Sequence, residues 1–212
     1  MKSLLQELRG ALFATLALAV VCCGLYPLLV FGIGQVLFPA KANGSLIVDA
    51  GGVVRGSRLI GQPFTAEKYF HPRPSSAGNG YDPTSSGGSN LGPTSQKLRD
   101  AVAQNVADYR TQNGLATNAP VPADTVTGSA SGLDPHISSE NARLQAYRVA
   151  KARGLSLEKV RELIRQYTDP ADLGILGDPG VNVLRLNLGE SGQEHARSLT
   201  LSWGGWSDEV ME

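Results

Sequence analysis

Few residues in this chain have types and spacing that could do chemistry. Asp134-Pro135-His136 sets a carboxylate two residues before an imidazole, a pairing that could orient an acid–base couple. Turn chemistry explains it more simply, because Asp before Pro opens a turn that here feeds a helix cap at Ser138. Gly128-Ser129-Ala130-Ser131-Gly132 has the outline of a nucleophile elbow, yet Ala130 stands where the nucleophile would be. Gly56 and Gly61 have the spacing of a phosphate-binding loop, but Gln62-Pro63 replaces its lysine. No Asp is followed by Lys, so a D-K-T-G phosphorylation loop is absent. His71, His136 and His195 lie far apart and show no ligand spacing. Cys22 and Cys23 are adjacent and are the only thiols, which excludes a C-x-x-C redox site and a cysteine-ligated zinc.

The elements that would carry these residues can be read from periodicity. Residues 45–48 and 52–55 flank Gly51-Gly52 and predict a hairpin, with strand-like composition continuing through residues 57–60. Residues 69–93 form a long loop rich in Pro, Gly, Ser and Asn. Loops of that length are commonly functional or disordered. Tyr69, Phe70, Tyr81 and Leu91 give this one apolar anchors, so the expectation is an ordered loop and the domain's main partner-binding element. Val102, Val106 and Tyr109 predict a helix over 94–113. Asp124 to Thr127 reads as a short strand. Ser138 caps a helix that Gly154 closes, and Ser156 caps another whose buried stripe is Leu157, Val160, Ile164 and Tyr167. Residues 181–188 alternate strictly and predict a half-buried strand. The pair of helices carries Arg143, Arg148, Lys151, Arg153, Lys159, Arg161 and Arg165. They read as a solvated face partly paired to Glu140, Glu158 and Glu162, with a partner-binding face as the alternative. The tail, with Trp203 and Trp206, reads as loosely ordered.

Composition bounds the rest. Of 212 residues, 19 are Lys or Arg and 19 are Asp or Glu, so the formal charge is zero and nothing favours a nucleic-acid partner. The 31 residues from Gly10 to Ala40 carry no charge. A bilayer core needs about 20 apolar residues in a helix, whereas a signal peptide's apolar region runs about 7–15. The expectation is a retained transmembrane helix over 11–38, tilted or kinked at Pro27, after a short tail over 1–10 and before an α/β (α+β) domain over 39–212. Ala11, Thr15, Ala19 and Cys23 place small side chains four apart, a stripe where a partner helix can approach closely. Flanking charge leaves orientation nearly tied, with Lys2 and Arg9 before the span and Lys41, Arg55 and Arg58 after it.

Several segments together resemble the C chain of the bacterial potassium-transporting Kdp ATPase. They are Asn43-Gly44-Ser45-Leu46, Leu59-Ile60-Gly61-Gln62, residues 69–75, residues 86–91, residues 129–134, residues 148–153 and Val181-Asn182-Val183, in family order. Residues 114–123 match nothing, and the tail after Leu188 is longer than the resemblance leads one to expect. The resemblance implies a non-catalytic subunit of an ATP-driven potassium pump, single-pass in the inner membrane. Its implied partners are a potassium channel-like subunit and an ATP-hydrolysing subunit, and its implied role is to hold the complex together and promote ATP use. ATP enters only as a ligand shared with the hydrolysing subunit. Ser86-Gly87-Gly88 resembles part of the ABC-transporter signature, which makes these three residues the candidate ATP contacts, although Ser89 stands where that signature has Gln. Assembly from the outer, periplasmic face ranks first. A cytoplasmic, ATP-binding chaperone ranks second, and a membrane-anchored hydrolase third.

Overall fold

The computed structural model describes residues 2–49 and 51–190. His195, Trp203, Trp206 and the reading of the tail lie outside the described residues. The chain divides into two compact units, with a break after Ser45.

The N-terminal unit is helical. Helix α1 (Lys2–Ala19) runs into a π-helical turn (Val20–Leu25) and then α2 (Tyr26–Leu37). Pro27 stands at the start of α2. Proline has no N–H to give the preceding turn, and wider i→i+5 bonding is one way a helix passes such a gap. The stretch Gln6–Leu37 has a mean hydropathy of 2.4, has no buried residue in its apolar window, and is long and apolar enough to cross a membrane. Phe38 leaves the helical region, a short α3 (Pro39–Ala42) follows, and Asn43 ties back through its side chain to Gln35 and the Pro39 carbonyl.

The second unit mixes helices with two small sheets. Strands β1 (Leu46–Val48) and β2 (Val54–Ser57) form the predicted hairpin. Asp49 closes it by accepting the Gly51 and Val53 amides and pairing with Arg55. β2 ends at Ser57, and residues 58–60 are not strand. Helix α4 (Gln96–Gln112) starts from a Ser95 cap. A three-stranded antiparallel sheet of β3 (His136–Ser138), β4 (Thr168–Asp169) and β5 (Gly180–Asn182) has β5 in the centre. It packs with α5 (Ser139–Arg153), α6 (Leu157–Gln166) and α7 (Val183–Glu190). Ser138, Gly154 and Ser156 cap α5 and α6 as expected. The core joins Ile137, Ala142, Val149, Val160, Ile164, Val181 and Leu186.

Two further strand expectations fail, each for a local reason. Residues 124–127 are a 3-10 turn (Ala123–Thr125) followed by irregular chain. Here side chains bond the backbone and compete with a strand: Thr127 donates to the Ala123 carbonyl, and Asp124 accepts both the amide and the hydroxyl of Ser138. The alternating run 181–188 is strand only to Asn182, whose side-chain oxygen then accepts the Arg185 amide and caps α7. Val183 and Leu184 are both buried, so alternation does not report a single buried face.

Candidate functional site

Residues 58–93 contain no helix or strand, yet the loop is held along much of its length. Two of its fixings are amide clamps. The Phe70 amide donates to Asn187 Oδ1 at 2.8 Å and its carbonyl accepts from Asn187 Nδ2 at 3.0 Å. The His71 amide donates to Gln145 Oε1 at 2.7 Å and its carbonyl accepts from Gln145 Nε2 at 3.0 Å. A primary amide carries both donor and acceptor, so one buried Asn or Gln satisfies both backbone groups of an extended residue. Arg148 adds bonds to the Glu67 and Tyr69 carbonyls, and Arg153 bonds the Lys68 carbonyl. Two arginines of the basic run thus cap loop carbonyls. Arg161 and Arg165 pair with Glu158 and Glu162 as expected of a solvated face.

The loop is also stitched to residues 127–134. Gly61 donates to the Leu133 carbonyl and Ser75 to the Gly132 carbonyl. Arg73 reaches Asp134 at 2.9 Å and the Thr127 and Gly128 carbonyls. The Tyr81 hydroxyl bonds the Arg73 carbonyl. Gly132 has φ +67°, and a Cβ there would lie 2.7 Å from both the Ala77 nitrogen and the Gly87 oxygen, so the stitching depends on a glycine. A cleft of about 320 Å³ lies between this loop and α4, bordered by Phe64, His71, Tyr81, Asp108 and Gln112.

A charged network ends the site. Antiparallel pairing sets His136 opposite Asn182, and Asp169 opposite Gly180. The imidazole lies 3.6 Å from Asp134 and 3.2 Å from Asp169. Asp169 also meets Arg185 at 3.1 Å and Arg58 at 3.7 Å. The hydrogen bond to Asp134 raises the His136 pKa against the opposing effect of burial, and Asp169 adds to the rise. Burial pushes the Asp134 pKa up, but its bonds with His136 and the Arg73 charge outweigh that and leave it lowered. His71 goes the other way: burial, then the charge of Arg148, lowers it. Asp134 Oδ1 accepts the His136 amide, the Asx turn that the Asp-Pro-His order predicts.

The residues singled out from sequence fall in different places. Ala11, Thr15, Ala19 and Cys23 are near one face of the N-terminal helix and exposed. Four residues of α-helix overshoot a full turn by about 40°, and the wider π turn offsets that drift where Cys23 sits. Tyr69, Tyr81 and Leu91 are half-buried. Phe70 is 0% exposed within the domain's own core, so it has no surface to give a partner. Aromatic content pointed to an anchor, but the Asn187 clamp that draws Phe70 inward lies 117 residues away and has no local signal. At Ser86-Gly87-Gly88, the Gly87 amide and the Ser86 hydroxyl both donate to the Ser131 carbonyl.

Comparison with known proteins identifies the family. The family model described as K+-transporting ATPase, c chain, matches residues 8–189. A potassium-transporting ATPase KdpC subunit from Mycobacterium tuberculosis is 55% identical over 183 residues, covering 86% of this chain and 96% of that one. Its namesake from Rhodospirillum rubrum is 55% identical over 185 residues, covering 87% and 95%. That from Koribacter versatilis is 48% identical over 193 residues, covering 91% and 96%. With the match running from the apolar helix to α7, the chain belongs to the K+-transporting ATPase c chain family.

Proposed function

We propose that this chain is the membrane-anchored, non-catalytic subunit of an ATP-driven potassium pump, and that it assembles and stabilises the complex from the outer face of the inner membrane. The observation that carries the reading is the exposed apolar helix with its small-residue stripe, joined in one chain to a domain whose long loop is fixed by amide clamps. A rigid loop presents a surface without paying ordering entropy on binding. The partners in this reading are the channel-like subunit, packed on the stripe, and the ATP-hydrolysing subunit, whose use of ATP the chain promotes indirectly.

Assembly ranks above direct ATP contact because the Gly87 amide and Ser86 hydroxyl are already committed to Ser131, which leaves fewer donors for a phosphate. Thr15→Leu with Ala19→Leu is expected to lower recovery of the channel-like subunit severalfold when the complex is purified through this chain in mild detergent. Unchanged recovery overturns the packing role of the stripe. A Cβ at Gly87 meets nothing within 4 Å, so Gly87→Val tests the ATP reading separately. A raised ATP requirement in a fully assembled pump reverses the ranking.

A further inference from the structure

Helices α5 and α6 pack together, and each presents an i, i+4 pair into one cleft. Ser139 and Arg143 come from α5, and Arg161 and Arg165 from α6. Thr168 and Ile164 complete a lining around about 360 Å³. Like charges at i, i+4 on one helix repel, and here a third guanidinium faces the pair from the neighbouring helix. The carboxylates of Glu158 and Glu162 pair with Arg161 and Arg165 but do not line the cleft. Arg143 makes no ion pair among the described residues. The Thr168 hydroxyl is committed to the Ile164 carbonyl at 2.6 Å.

We infer that this cleft between α5 and α6 is a binding site for a phosphate group, held by Arg143, Arg161 and Arg165 with Ser139 beside them. Guanidinium forks match the oxygen spacing of phosphate. Arg161 binds its carboxylate through one nitrogen and Arg165 through two, so each of these five-donor groups keeps other N–H donors free. All three cations are arginine, although lysine occurs at positions 151 and 159 of the same helices. Lysine would serve a solvated face equally well, whereas planar forks suit oxyanion recognition. The cleft has room for a phosphate and one apolar wall, Ile164. It is built from two capped helices rather than from the loop and charged network described above, and does not depend on the assembly role.

The phosphate can belong to a lipid headgroup or be free in solution, and two arms separate the sources. The full-length chain is placed in phosphatidylcholine nanodiscs and titrated with inorganic phosphate against chloride of equal ionic strength. A second sample, without phosphate, contains phosphatidylglycerol. The melting temperature of the soluble domain should rise in at least one arm. A rise with inorganic phosphate identifies a free anion, and a rise only with phosphatidylglycerol identifies the headgroup. Arg143→Gln and, separately, Arg161→Gln should weaken the response about tenfold, while Lys151→Gln, exposed and outside the cleft, should keep it. No rise in either arm overturns the proposal. Equal responses in the wild type and both arginine variants also overturn it.

Discussion

At His136 the imidazole lies between two carboxylates on different elements, and at His71 it lies in a half-buried position beside the Arg148 guanidinium. The two shifts act on opposite sides of the ordinary histidine value of about 6.5. The folded chain holds the His136 proton more tightly, so its stabilisation is complete below about pH 6.5 and is lost as pH rises through the raised folded value. The folded chain favours neutral His71, so that contribution is complete above about pH 6.5 and is lost as pH falls toward the lowered value. The melting temperature is therefore expected to peak near pH 6.5. His136→Gln should flatten the alkaline fall and His71→Gln the acid one, measured in the same buffers from pH 5 to 8. A wild-type profile without a peak would show that neither shift reaches stability. Asp134-Pro135-His136 was legible in sequence as a turn, and the Asx bond is there. The second carboxylate, Asp169, was not legible, because it arrives 33 residues later through strand pairing.

Elements followed sequence where a local cap and a one-sided stripe agreed. Helices α5 and α6 have Ser caps at their starts and a left-handed glycine between them, and both lie where periodicity placed them. Helix α7 did not, because its residues are buried on more than one side and a two-residue alternation hides a short buried helix. The 58–93 loop is the element whose order depends most on distant contacts. Phe70→Ala removes a fully buried ring from the core and is expected to cost about 3–5 kcal/mol. Gly132→Ala places a Cβ against two backbone atoms at positive φ and should cost more than about 1 kcal/mol. Both are read by urea unfolding. If Phe70→Ala costs less than Gly132→Ala, the loop is fixed by its stitching rather than by its aromatic anchor.

For the whole molecule, the outer-face proposal is tested by the side of the membrane that the domain occupies. Asn79 is an exposed loop residue, and Asn79→Cys provides a thiol for a membrane-impermeant reagent. The outer-face proposal expects labelling in intact cells to match labelling after lysis. Labelling only after lysis would move the domain to the cytoplasm and favour the ATP-binding alternative. The native thiols Cys22 and Cys23 lie within the apolar helix, where a charged reagent does not partition, so they add little background.

The apolar helix, the hairpin, three of the longer helices with their caps, and family membership were all legible in the sequence. Each rests on residues close together in the chain: an uncharged run, a cap with its stripe, or a short motif. Tertiary structure decided what depended on distance. It buried Phe70 in the core, joined Gln145 and Asn187 to the loop as clamps, and set His136 against Asp169. It also gathered Arg143, Arg161 and Arg165 into one cleft. A buried amide has no periodicity of its own, and which backbone group it satisfies is settled only when two remote segments pack. For that reason a polar residue such as Asn187 reads as surface in the sequence and proves to be an interior fixing point.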